Sequence, residues 1–67
     1  MGVKALSYMD SVILALIRNY RLPEEDATRA VKSSYLYESL IENPTDTMHD
    51  SINISADNVY AEIYGVN

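Results

Sequence analysis

His49 is the one histidine of the chain, and Asp46, Thr47, Asp50 and Ser51 all lie within three residues of it. These are the residue types of a hydrolytic triad: a hydroxyl nucleophile, an imidazole base and a carboxylate that orients the base. A triad also needs an oxyanion hole and an ordered chain of hydrogen bonds, which side chains crowded into one polar turn rarely provide. The expectation is therefore structural. Thr45 or Asp46 caps a turn, and the His49 ring packs on the core with a local hydrogen bond. No residue is assigned a catalytic role, and the chain reads as a non-enzyme.

Metal chemistry fares no better. Asp46, His49 and Asp50 would share a face if this turn were helical, but zinc sites take three or four protein ligands and draw heavily on His and Cys. The chain has a single His and no Cys. Glu24-Glu25-Asp26 is the densest acidic run, and a helix N-terminus, where the dipole favours carboxylates, already accounts for it. No metal and no cofactor are expected.

The elements that must position these groups follow from periodicity. Leu6, Met9, Val12, Ile13, Leu16, Ile17 and Tyr20 fill an apolar arc of about 140° at 3.6 residues per turn, which predicts a first helix over 6–20. Tyr8 lies on the flank of that arc, and Leu14 stands about 60° beyond its opposite edge. Leu22-Pro23-Glu24-Glu25-Asp26 is a helix start, with Pro in the first turn and carboxylates at the positive end of the dipole. This second helix runs to about Lys32, with small inward residues Ala27, Ala30 and Val31.

Ser33-Ser34 offers a cap or a break before a third helix over 35–42, in which Leu36, Tyr37, Leu40 and Ile41 share a face. Fusion of helices two and three is the alternative. Asn43-Pro44 is the stop, because Asn tolerates the left-handed region and Pro disfavours helix in the residue before it. Residues 45–54 read as an irregular polar stretch in which Met48 and Ile52 plug onto the core. Ser55 is then expected to cap a last helix carrying Ala56, Val59, Tyr60, Ile63 and Tyr64, ended by Gly65. The fold class is all-α: a compact bundle of three to four short helices forming a single domain over 1–67.

Composition bounds what such a domain does. A chain of 67 residues, 48% hydrophobic, folds around one core, but a domain of this size buries only roughly 60% of its unfolded surface. Self-association, most simply a homodimer, is a natural supplement to that thin margin. Ten acidic and five basic residues give a formal charge of -5, and Lys4, Arg18, Arg21, Arg29 and Lys32 are dispersed. That balance repels phosphate backbones and anionic membranes. Helices two and three resemble a helix-turn-helix in outline, yet the second of them would carry Glu38 and Glu42 and no cation. Nucleic acid and membrane are therefore not expected partners. The apolar run from Val12 to Ile17 is far short of the roughly 20 residues of a membrane span. With no Cys and no signal-peptide pattern, a cytoplasmic location is expected.

The segments Ser34-Tyr35-Leu36-Tyr37-Glu38-Ser39-Leu40, Asp46-Thr47-Met48-His49 and Tyr60-Ala61-Glu62-Ile63 together resemble a family of very short bacterial helical proteins, catalogued only as a domain of unknown function. Its pattern is a Ser/Tyr/Leu helix, a Met-His or Leu-His turn and a closing Tyr-x-x-Glu helix. The stretch from Leu22 to Val31 is similar to its middle helix, so the resemblance spans residues 15–64. It implies an all-helical fold and a partner-binding or regulatory role. It brings no catalytic residues.

Six tyrosines in a chain without Phe or Trp are the most distinctive feature of composition. Tyr suits half-buried positions where the ring packs and the hydroxyl reaches a polar partner, and it is also enriched at interfaces. The functional expectation is a non-enzymatic protein–protein interaction module, self-associating or held by a protein partner, with Tyr8 and Leu14 as contact residues. The alternative is an acidic regulator or antitoxin-like protein that occupies a basic site on its target, with Glu38 and Glu42 among the contacts.

Overall fold

The computed structural model describes residues 1–65. It is an all-α bundle of five helices: α1 (Val3–Tyr20), α2 (Glu24–Ser33), α3 (Tyr35–Glu42), the single turn α4 (Pro44–Thr47) and α5 (Ile52–Tyr64). Eighteen residues at about 1.5 Å rise make α1 span the molecule's longest dimension, which is 27 Å. α1 packs on α2 and α5, α5 also reaches α2 and α3, and α3 carries α4.

Helix ends follow local chemistry, with three departures from expectation. α1 starts at Val3, three residues early, and stops where Arg21 turns into the left-handed region at φ 55°. Leu22 precedes Pro23 and is thereby biased to extended backbone, so the chain leaves the helix there. α2 opens with Glu24, Glu25 and Asp26 in its first turn and ends near Lys32, the arrangement its dipole favours. α2 and α3 do not fuse. Ser34 is extended at ψ 163°, and its hydroxyl donates to the Val31 carbonyl at 2.7 Å instead of capping the next helix.

The second departure lies at Asn43, which stops α3 at φ -137°, ψ 64° and not in the left-handed region. Pro44 then starts α4, since a first-turn proline loses no helical hydrogen bond. Thr47 donates its hydroxyl back to the Asn43 carbonyl at 2.7 Å. The stretch 45–54 is therefore only partly irregular. The third departure is the last cap. Ser51, not Ser55, takes that place, its hydroxyl accepting the Ile54 amide at 3.2 Å. Ser55 lies one turn inside α5 and is buried. Gly65 ends the helix at φ 66°, a conformation glycine adopts without steric cost.

The core holds Met9, Val12, Leu16, Val31, Leu40 and Val59 together with five alanines: Ala5, Ala15, Ala27, Ala30 and Ala56. Small residues let helix axes approach closely, which suits a chain with little volume to fill. Met48 and Ile52 pack against this core, as expected of the loop plugs. Ala5 and Ala15 also explain why α1 is rotated from its predicted orientation. Its buried residues are Ala5, Met9, Val12, Ala15 and Leu16, whereas Leu6 is exposed and Ile13 and Ile17 are only partly covered. The helix turns its small-residue side inward, between α2 and α5, and leaves part of the larger apolar arc outside. Ile41, Ile63 and Tyr64, expected to face inward, are likewise exposed.

Candidate functional site

Among the described residues the His49 side chain makes no hydrogen bond to Asp46, Thr47, Asp50 or Ser51. His49, Asp46, Asp50 and Ser51 are all exposed, so the histidine ring is not packed on the core as anticipated. The Ser51 hydroxyl oxygen accepts the Ile54 amide, and the Thr47 hydroxyl donates to the Asn43 carbonyl. Asn43 and Pro44, and not Thr45 or Asp46, stand at the start of the α4 turn. Among the described residues no three His, Asp or Glu side chains converge as a metal-holding group.

Tyr8 takes an intramolecular role, although periodicity places it outside the core-facing arc. It is partly buried. Its hydroxyl donates to the Asp50 carbonyl at 2.8 Å and stands 2.6 Å from the Ser55 hydroxyl. This pins α1 to the start of α5, on the side where Ala15 makes room. A second tyrosine seam joins the other end of the same two helices. The Tyr20 and Tyr60 rings stack at 3.8 Å between centroids with 6° between planes, and Tyr64 extends the stack at 4.8 Å. The Tyr20 hydroxyl donates to Asp57 Oδ1 at 2.6 Å. That hydrogen bond to a carboxylate, with partial burial and the negative charge of Asp57 acting in the same direction, raises the Tyr20 phenol above its ordinary value.

Glu62 has a role that sequence reading misses. Both of its carboxylate oxygens accept the Tyr35 amide, at 3.0 and 3.1 Å, so α5 supplies the N-terminal cap of α3 from 27 residues away. The buried Ser34 hydroxyl, turned back to Val31, leaves that position open. No local signal announces such a cap, since donor and acceptor meet only when α5 returns beside α3.

Leu14 behaves as its position implies. It is 49% exposed on α1 and edges a hollow of about 300 Å³ formed with Ser11, Ala15, Arg18, Ile52 and Asn53. Val3 and Leu6, at 82% and 44% exposure, are the other exposed apolar residues of this helix. At about 100° per residue Val3, Leu6 and Leu14 fall within about 80° of one another, on the side away from the core. The outward side of α1 is therefore mixed: Val3, Leu6 and Leu14 stand exposed among Ser7, Asp10 and Arg18, while the bundle covers the opposite side. Tyr8 and Leu14 do not form a common surface.

Glu38 and Glu42 are exposed one turn apart on α3. They belong to a wider asymmetry that the dispersal of basic residues along the sequence obscures. All five Lys and Arg lie in residues 1–32, against four acids there, whereas residues 33–67 hold the other six acids and no Lys or Arg. The two halves carry +1 and -6, which sum to the total of -5. Asp26 and Arg29 form the ion pair found among the described residues, at 3.4 Å on the surface of α2, so none of the α3 to α5 carboxylates is neutralised from the basic half.

Comparison with family models, with curated proteins and with solved structures gives no match. No described helix is long and apolar enough to cross a membrane.

Proposed function

We propose that the protein is a non-enzymatic protein–protein interaction module whose contact surface is the outward face of α1. One observation carries this reading: Val3, Leu6 and Leu14 stand exposed within one arc of a helix whose opposite arc is fully packed. Exposed Val and Leu side chains that share one side of a helix gain from burial against a neighbour, and the polar residues among them, Ser7, Asp10 and Arg18, supply the rim such a contact uses. The small core supports the same reading, because association adds buried apolar area to a domain with a thin stability margin. Sedimentation velocity from low to high micromolar concentration, run beside affinity capture on immobilised protein, is the test. A chain that stays monomeric and retains no protein partner refutes the reading. Loss of association in Leu14→Asp, with an unchanged circular dichroism spectrum, supports it.

The segregation of charge favours a second reading, in which the α3 to α5 surface, bearing Glu38, Glu42, Asp46 and Asp50, meets a basic site on a target protein. Such surfaces act mainly by speeding encounter, and their effect fades as salt rises. Reversing Glu38 and Glu42 to Lys should slow association with a cationic partner at low salt. An on-rate indifferent to both reversal and salt removes this reading.

A further inference from the structure

The geometry points to a second copy of this chain as the occupant of the α1 surface, docked antiparallel across a two-fold axis beside Leu14 so that Asp10 of each copy meets Arg18 of the other. This deepens the interaction-module reading and rests on it.

The seam is written in the spacing Asp10-Leu14-Arg18. Residues four apart form one of the two natural ridges of a helix surface, and ridges of this kind interlock when two helices cross at about 50°. All three side chains are exposed. A two-fold interface must be self-complementary, with each feature and its counterpart on the same patch. Here the protruding feature is Leu14 and its counterpart is the adjoining hollow of about 300 Å³. The floor of that hollow includes Ala15, 8% exposed, and Ile52, which packs against the core. The rim is polar, formed by Ser11, Arg18, Asn19 and Asn53, and a leucine side chain entering past it would pack on Ala15 and Ile52. The hollow therefore suits the Leu14 of a facing copy.

Charge sets direction. Reversing one helix about Leu14 exchanges the positions four before and four after it, so the acid at 10 and the base at 18 face their opposites twice over. A parallel arrangement would set like against like. Neither residue makes an ion pair within its own chain among the described residues, where the Asp26–Arg29 contact is the pair formed. Val3 lies within the same arc, and Leu6 borders it. Ser7, Ser11, Asn19 and Asn53 around Leu14 are uncharged, and the further charge on this side, Arg21, stands at the end of α1 beyond Arg18.

Charge exchange tests this in the intact chain. Asp10→Arg alone would set two guanidinium groups against each other at both ends of the seam, and Arg18→Asp alone would set two carboxylates there. Each should weaken self-association by about tenfold or more, the order expected for a close interfacial pair made repulsive. The doubly exchanged Asp10→Arg/Arg18→Asp chain should associate like the original. An equimolar mixture of the two single variants should form a mixed dimer tighter than either variant alone. That last result also excludes misfolding as the cause of loss, because two misfolded chains do not restore each other. Self-association of the original chain that is indifferent to all the exchanges overturns the proposed register while leaving the interaction-module reading intact. A chain that remains monomeric at high micromolar concentration overturns the proposal itself, whether or not another protein is captured.

Discussion

The hydroxyl oxygens of Tyr8 and Ser55 stand 2.6 Å apart although 47 positions separate them in sequence. Because the Tyr8 proton goes to the Asp50 carbonyl, the Ser55 proton points at the Tyr8 oxygen. Ser55 is only 3% exposed, so its hydroxyl loses its partner if the tyrosine hydroxyl is removed. Tyr8→Phe should cost about 1–3 kcal/mol of stability, the range for a buried polar group left without its partner. Tyr8→Phe/Ser55→Ala should cost less than the sum of the two single changes. Urea midpoints for the four proteins measure this, and strict additivity would show that the two hydroxyls are not coupled.

The remote cap of α3 makes a different kind of demand. With Ser34 turned back to Val31, the Tyr35 amide depends on Glu62. Glu62→Ala should lower stability by about 1 kcal/mol, the usual effect of losing an N-cap acceptor. The same change should raise amide exchange in the first turn of α3 more than elsewhere. Equal protection at Tyr35 in both proteins would argue against the cap.

Arg21 holds a left-handed conformation at φ 55°, which costs a side-chain-bearing L-residue roughly 1–2 kcal/mol. Glycine relieves that strain and adds some unfolded-state entropy in return. Arg21→Gly should therefore stabilise the protein by about 0.5–1 kcal/mol in net terms. A fall in the thermal midpoint would mean that the Arg21 side chain contributes a contact outweighing its backbone strain.

Alkaline pH should act through Tyr20. Its phenol is raised by donation to Asp57, so the unfolded chain, where tyrosine titrates at about 10, releases this proton first. The native state then holds the proton that the unfolded state has lost, and stability falls as pH rises. The contribution is fully present below the unfolded value and disappears as pH climbs through the raised native one. Tyr20→Phe lacks it. The stability difference between the original chain and this variant should shrink across that alkaline window. A difference constant through the window would mean that the Tyr20–Asp57 bond does not bias the titration.

Much of the architecture is local and hence readable along the chain. Pro23 with three following carboxylates, the break at Ser34 and the left-handed Gly65 are decided by the nearest few residues. Sequence reading misplaces the last cap because Ser51 and Ser55 are one helical turn apart, and either hydroxyl fits the pattern locally. The exposed Leu14 is visible as an outlier from the apolar arc of α1. The charge asymmetry is equally visible, but only when positions are divided at residue 32, the boundary before α3.

What the sequence determined alone is therefore the helical class, the approximate places of the helices and the acidic balance, because periodicity, capping chemistry and charge are properties of neighbours in the chain. Only the tertiary structure decided which face of α1 is inside. Apolar side chains surround much of that helix, so hydrophobicity alone leaves its rotation open; the close approach permitted by Ala5 and Ala15 closes it. That rotation brings Tyr8 inward to Ser55 and leaves Leu14, with Asp10 and Arg18 beside it, on the outside. Contacts such as Tyr8–Ser55, Tyr20–Asp57 and Glu62–Tyr35 join residues 27 to 47 positions apart. They come into being only when the return of α5 sets the distances, which no local pattern encodes.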